Sequence, residues 1–271
     1  MSAERDYQLG THDEELQRLG LQHGLWQPTV ARGWQAAGFR PGWRIADIGC
    51  GPGFATVELS RLVGPKGHVA ALERSQRYLE SARHRCESAG CANVSFHSVD
   101  LISEPCPVEG YDAAWCRWVA MWVADPARLV ANIRAAVRDG GVLVMHEYTH
   151  YRSFRLSPSS PEIEQFVEQV EAALRSTGGD PDVGRRMPGL LNAAGFEVTA
   201  LEPLVFSARP SDPLWQWPAS YIRTYAPRLL EMGCIDRSFL ARLLAALTRA
   251  EGDPDSVIVT PMNLQIIARA R

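Results

Sequence analysis

The segment Asp47-Ile48-Gly49-Cys50-Gly51-Pro52-Gly53 constrains the fold of this chain more than any other. It follows a short apolar run, Arg44–Ile48, and leads into a helix-forming run, Phe54–Val63. Glycines in such a turn let the main chain reverse sharply and let a ligand approach where a Cβ would collide. The strand–helix rhythm then repeats. His68–Leu72 reads as a strand, and Ser75–Ala89 as a helix with Ser75 as N-cap and Gly90 as its stop. Val94–Val99 and Tyr111–Cys116 read as strands, Pro126–Val137 as a helix opening on proline, and Gly141–Glu147 as a fifth strand. Strands that alternate with helices need crossover connections, which predicts an α/β fold with a parallel sheet buried on both faces.

The rhythm changes after residue 150. Pro161–Ser176 and Gly184–Ala194 read as helices, and a strand runs from Phe196 to about residue 206. A stretch rich in proline and aromatics follows, then a helix near Phe239–Arg249, then a β segment from Ser256 to Ala270 interrupted at Pro261. Two strands separated by a helical insertion predict an antiparallel pair at the sheet edge. Residues 1–40 read as a helical cover that the sheet can form without, with Leu16, Leu19, Leu21, Leu25 and Trp26 as apolar positions ahead of Pro28. The expected organisation is therefore a lid over 1–40, a ligand-binding core over 41–150, and over 151–271 the rest of the sheet with a substrate-capping insertion at about 207–255.

Composition narrows the partners. With 28 Lys+Arg against 31 Asp+Glu, the formal net charge is −3, and there is no basic run to attract a phosphate backbone or an anionic membrane. The longest apolar stretch, Trp118–Ala124, is far short of the ~18 residues a spanning helix needs. The polar N-terminus carries no signal-peptide core. The six cysteines form no Cys-x-x-Cys pair, so free thiols and no metal site are expected. These features predict a cytoplasmic chain acting on a small molecule, with neither nucleic acid nor membrane as partner and a homodimer as one candidate assembly.

Acidic residues mark the carboxyl edge of the sheet. Glu73 ends the second strand, twenty residues past Gly53, and Asp100 ends the third. At that edge of doubly wound sheets, a carboxylate accepts hydrogen bonds from ribose hydroxyls. The dinucleotide fingerprint would need glycine where Phe54 stands, and the phosphate loop of nucleotide hydrolases would need a Gly-Lys-Ser/Thr ending, which is absent.

Together, Asp47-x-Gly49-x-Gly51-x-Gly53, Glu73 and Asp100 resemble the signature of class I S-adenosylmethionine (SAM)-dependent methyltransferases. Tyr111-Asp112-Ala113-Ala114-Trp115 resembles their fourth-strand motif. Arg138-Asp139-Gly140-Gly141 resembles the turn before their fifth strand, with Asp139 in place of the usual proline. Residues 7–26 resemble the N-terminal lid of the ubiquinone C-methylase-like group, whose members act on small molecules. The resemblance implies a doubly wound, mostly parallel seven-stranded sheet, Rossmann-like, with a helical lid and insertion, and SAM as cofactor. It places Gly49 and Gly51 against the methionine part, Asp47 near the ammonium group, Glu73 on the ribose, and Arg74 beside the adenine. Asp100 would take the adenine amine, with Leu101 along the ring, while Arg117 would approach from the far side and Gln22 from the lid.

Methyl transfer needs positioning, a dry site and, for oxygen or carbon acceptors, removal of a proton. Glu147 and His146, at the end of the fifth strand, are the candidate catalytic groups. Trp217, Tyr221 and Tyr225 recur every four residues and share one helix face. With Tyr7, Trp26, Trp122 and Tyr148, Trp217 and Tyr221 form the candidate substrate set. The Asn/Asp-Pro-Pro-Tyr motif of amino-group methylation on nucleic acids is absent after the fourth strand. The expected activity is transfer to an O, N or C atom of a small molecule, aromatic or quinone-like. An NAD-dependent oxidoreductase and a non-catalytic SAM-binding protein stand as alternatives.

Overall fold

The structure, a computed structural model, describes residues 13–271. The chain opens with helix α1 (Asp13–Ala36), followed by β1 (Arg44–Ile48), α2 (Phe54–Val63), β2 (His68–Glu73), α3 (Gln76–Ser88) and β3 (Val94–Ser98). Next come β4 (Tyr111–Arg117), α4 (Pro126–Ala136), β5 (Val137–His150), β6 (Arg155–Ser157), α5 (Pro161–Ser176), α6 (Met187–Ala193) and β7 (Phe196–Leu204). The last part contains β8 (Ser207–Ala208), α7 (Gln216–Glu231), α8 (Arg237–Glu251), β9 (Val257–Val259) and β10 (Met262–Ala270). The caps are those the residue types favour. Ser75 Oγ accepts from the Tyr78 amide, and Asp125 and Ser160 cap helices that open on Pro126 and Pro161.

The main sheet has seven strands in the order β3-β2-β1-β4-β5-β10-β7, parallel except for β10, which pairs antiparallel with both β5 and β7. The order reverses between β1 and β4, which leaves a crevice at their carboxyl ends. Val69, Ala70, Ala71, Ala113, Ala114, Val144 and Met145 are buried, as a sheet covered by helices on both faces requires. The β segment expected over 256–270 divides at Pro261. β9 joins β6 and β8 in a second, three-stranded sheet, while β10 enters the main one. β5 is also longer than expected: it begins at Val137 and absorbs the glycine turn as an irregularity, with Gly140 at φ 73°.

The boundary at residue 40 does not mark a detachable cover. Trp26, Val30 and Trp34 from the second half of α1 are buried among Ile45, Val69, Ala113, Trp115 and Val144, so that half is part of the core. Nor does the first half bury the leucines of the expected apolar face. It buries Glu15, Arg18, Gln22 and His23, while Leu21 is exposed. The side turned inward is polar because it roofs a cavity rather than packing on hydrocarbon. Among the described residues no helix is long and apolar enough to cross a membrane.

Candidate functional site

The principal cavity lies at the carboxyl edge of β1, β2, β3 and β4, under α1 and against α7. Its floor is the loop after β1. Gly49, Gly51 and Gly53 all have positive φ (64°, 52° and 82°), the region that favours glycine. A Cβ on Gly51 would point into open space, whereas one on Gly53 would lie 2.8 Å from the Ala82 main chain. One glycine therefore leaves room for a ligand and another lets α3 pack close. Phe54, where the dinucleotide fingerprint has glycine, seats the roof. Its ring stacks on His23 at 5.7 Å and lies under Gly20, where a Cβ would come within 2.9 Å.

Glu73 stands at the end of β2, with Oε2 accepting from the Gly51 amide (3.1 Å) and Oε1 from the Ser75 amide (2.9 Å). Each oxygen retains a lone pair for a ligand hydroxyl. Burial raises the pKa of this carboxyl, and the amide hydrogen bonds counter part of that rise. Arg74, Asp100 and Leu101 line the same end of the cavity, and Asp100 Oδ1 accepts from the Ile102 amide at 3.1 Å. Asp47 is buried within β1, where Oδ2 accepts from Thr56 Oγ1 at 2.6 Å; burial raises its pKa to about 7.

Arg117 ends β4 on the opposite wall. Burial lowers its pKa to about 10, so it remains cationic at neutral pH. Nη2 donates to His23 Nδ1 at 3.1 Å, and His23 Nε2 lies 3.2 Å from Glu58 Oε1. Burial lowers the His23 pKa, which keeps the ring a neutral acceptor. Arg117 Nη1 is buried without a hydrogen-bond partner in the protein. The guanidinium as a whole is half-buried and lines the cavity, where a cation fits an anionic ligand group such as a carboxylate.

Beyond Arg117 the cavity becomes aromatic. Trp118, Trp122, Tyr148, Trp217 and Tyr221 line it, with Tyr151 and Phe154 behind. Tyr148, Trp118 and Trp217 form a stack, with centroids 5.6 and 5.9 Å apart. The roof is held to this wall through Gln22, whose Oε1 accepts from Arg18 Nη1 (2.8 Å) and Trp217 Nε1 (3.0 Å). Arg18 is itself held by both oxygens of buried Glu15, at 2.7 and 2.6 Å, so its charge is balanced.

The cavity thus gathers the cofactor candidates Asp47, Gly49, Gly51, Glu73, Arg74, Asp100, Leu101, Arg117 and Gln22, and the substrate candidates Trp122, Tyr148, Trp217 and Tyr221. Two expectations are corrected, the catalytic pair and Trp26. Glu147 and His146 do not line the cavity. They are fully buried in β5, where Glu147 Oε1 accepts from the amides of Val119 (2.9 Å) and Ala120 (2.7 Å), and His146 Nε2 lies 2.9 Å from Gln265 Oε1. Burial raises the Glu147 pKa to about 8 and lowers that of His146 to about 3, and neither group reaches an acceptor. Trp26 is a core residue, edge-on to Trp118 and Trp217. Tyr225, on the same helical face as Trp217, likewise faces the core. Tyr7 lies outside the described residues.

Sequence reasoning missed Trp118, Tyr151 and Phe154. Trp118 had a usable signal, since it is the first residue past β4 on the edge where Glu73 and Asp100 drew attention. The spacing of Arg18 and Gln22 in the lid did point to polar groups turned toward the cavity, and both line it. Among the described residues no group of three or more His, Cys, Asp or Glu could hold a metal ion.

Comparison with known proteins agrees with this geometry. A family model described as a methyltransferase domain matches residues 40–181. An uncharacterized 37.1 kDa protein in transposon TN4556 of Streptomyces fradiae is 31% identical over 166 residues, 61% of this chain but only 46% of that protein's length. The ubiquinone/menaquinone biosynthesis C-methyltransferase UbiE of Saccharophagus degradans is 26% identical over 65% of this chain and 75% of its own. Among solved structures, the [4+2]-cyclase SpnF shares the fold, with TM-score 0.57, 20% identity and coverage of 90% of this chain and 80% of its own.

Proposed function

The chain belongs to the methyltransferase-domain family of SAM-dependent enzymes, and from that premise we propose that it methylates a small, flat, aromatic or quinone-like molecule. The observation that carries the reading is the continuity of one cavity. Glu73, Asp100 and the glycine loop line one end of it, and Trp118, Trp122, Tyr148, Trp217 and Tyr221 the other.

The residues at the first end fit SAM. The two Glu73 oxygens have free lone pairs for the ribose hydroxyls, the space above Gly51 admits the methionine chain, and the Arg117 guanidinium on the cavity wall suits its carboxylate. When bound, SAM supplies an electrophilic methyl on a sulfonium whose bonding pair leaves with sulfur. The chain's own contribution is position and dryness. Asp100 and Arg117 would hold the two ends of the ligand and Glu73 its ribose, the aromatic wall orients a flat acceptor by its faces, and α1 excludes water through the Gln22–Trp217 hydrogen bond. The acceptor chamber offers phenols and ring faces, which suits an acceptor of low charge over a nucleic acid or a peptide. A cytoplasmic location and a homodimer are part of the proposal.

The same fold in a [4+2]-cyclase favours a second reading, in which the aromatic chamber folds a substrate and no methyl moves. Incubation with methyl-labelled SAM and a panel of phenols, hydroxyquinones, indoles and amines separates the two. Label in an extracted aromatic product supports transfer. Bound SAM with no label in any acceptor refutes it.

A further inference from the structure

Glu147 is a carboxylate that the reaction does not touch, buried where an uncharged residue would be simpler. Its Oε1 accepts from two consecutive main-chain amides, Val119 (2.9 Å) and Ala120 (2.7 Å). They belong to the segment between β4 and α4, in which Ala120–Trp122 form a single 3-10 turn. Trp118, Val119, Met121, Trp122 and Val123 of this segment all line the cavity. The segment is also strained at its start: Trp118 is the one non-glycine among the described residues with positive φ, at 55°. For a bulky side chain that region is unfavourable and persists only where the surroundings hold it.

The surroundings do hold it. Trp118 Nε1 donates to Asn263 Oδ1 at 2.6 Å, its amide donates to the His146 carbonyl at 2.9 Å, and its ring lies between Tyr148 and Trp217. Val119 is pressed against the cofactor loop, since a Cβ on Gly49 would lie 2.4 Å from its Cγ2. The segment therefore touches the glycine loop with one residue and forms the acceptor wall with the next ones. A displacement here would change the distance between the two halves of the cavity.

We propose that Glu147 is a positioning residue, whose grip on the Val119 and Ala120 amides sets where the segment 118–123 holds the acceptor relative to the cofactor loop. The inference rests on the methyl-transfer reading for its kinetic arm only. The role asks for an acceptor oxygen, not a charge. Burial raises the Glu147 pKa to about 8, so near neutral pH a neutral carboxyl already does the work, and glutamine reproduces it.

The test compares E147Q with E147L, which keeps the bulk but removes the acceptor. Hydrogen exchange of the peptide spanning 118–123 is measured by mass spectrometry, together with S-adenosylhomocysteine affinity and acceptor kinetics. The expected result is that E147L exchanges this peptide at least tenfold faster than wild type and loses about ten- to hundredfold in kcat/KM for the acceptor. Its S-adenosylhomocysteine affinity should fall by no more than about threefold, and E147Q should stay within about threefold of wild type in every readout. Unchanged exchange in E147L overturns the inference. So does an E147Q that loses turnover as far as E147L, which would give the carboxylate a chemical part. If E147L does not fold, E147D, one methylene too short to hold both amides, is judged by the same criteria. If wild type transfers no methyl group, the function reading fails while the exchange comparison still decides the role of Glu147.

Discussion

Truncation of α1 separates two jobs that lie along one helix. The half from Trp26 onward is core: Trp26, Val30 and Trp34 are buried against β1, β4 and β5. Truncating a buried tryptophan to alanine costs about 3–5 kcal/mol, so removing both tryptophans with their backbone exceeds about 6 kcal/mol. That is comparable to the whole stability of a typical domain, about 5–15 kcal/mol. Deleting residues 1–35 is therefore expected to give a protein with no cooperative melt by circular dichroism. Deleting residues 1–21 removes Glu15 and Arg18 but keeps Gln22, Trp26, Val30 and Trp34. It should melt cooperatively, bind S-adenosylhomocysteine about tenfold more weakly by calorimetry, and lose transfer because the cavity is open to water. A folded 1–35 deletion melting within a few degrees of the full chain would refute the core assignment. Full turnover in the 1–21 deletion would refute the roof.

Glu73→Ala removes an acceptor for ligand hydroxyls and for the Gly51 and Ser75 amides, and it should weaken S-adenosylhomocysteine by about 1.5–3 kcal/mol, roughly ten- to hundredfold in Kd by calorimetry. Gly53→Ala must place a methyl at φ 82° and 2.8 Å from the Ala82 main chain, so a loss of about 2–4 kcal/mol is expected by urea denaturation. The raised Glu147 pKa of about 8 means that between about pH 4.5 and 8 the native state binds more protons than the unfolded chain, and stability falls as pH rises. E147Q should therefore gain stability over wild type across that window, by at most about 1.4 kcal/mol per pH unit. A difference that does not vary with pH would show that Glu147 keeps an ordinary pKa.

Much of the sheet and of the cofactor end could be read from residues alone, because local rules govern both. Period, caps and glycine punctuation place β1 to β5 within a few residues, and the carboxyl-edge rule needs only strand order to bring Glu73, Asp100 and the glycine loop together. Side-chain direction is different, because it depends on partners far along the chain. Glu147 and Tyr148 are neighbours in β5, where successive side chains point to opposite faces, so one reaches the Val119 amide while the other lines the cavity. The leucines of α1 predicted its buried side wrongly because the helix covers a polar cavity for half its length and apolar sheet for the rest. The periodicity of one segment carries no record of what another segment places beneath it. Only the tertiary structure decided that Glu147 and His146 turn away from the cavity, that Trp26 belongs to the core, and that Trp118 stands where an acceptor would meet it.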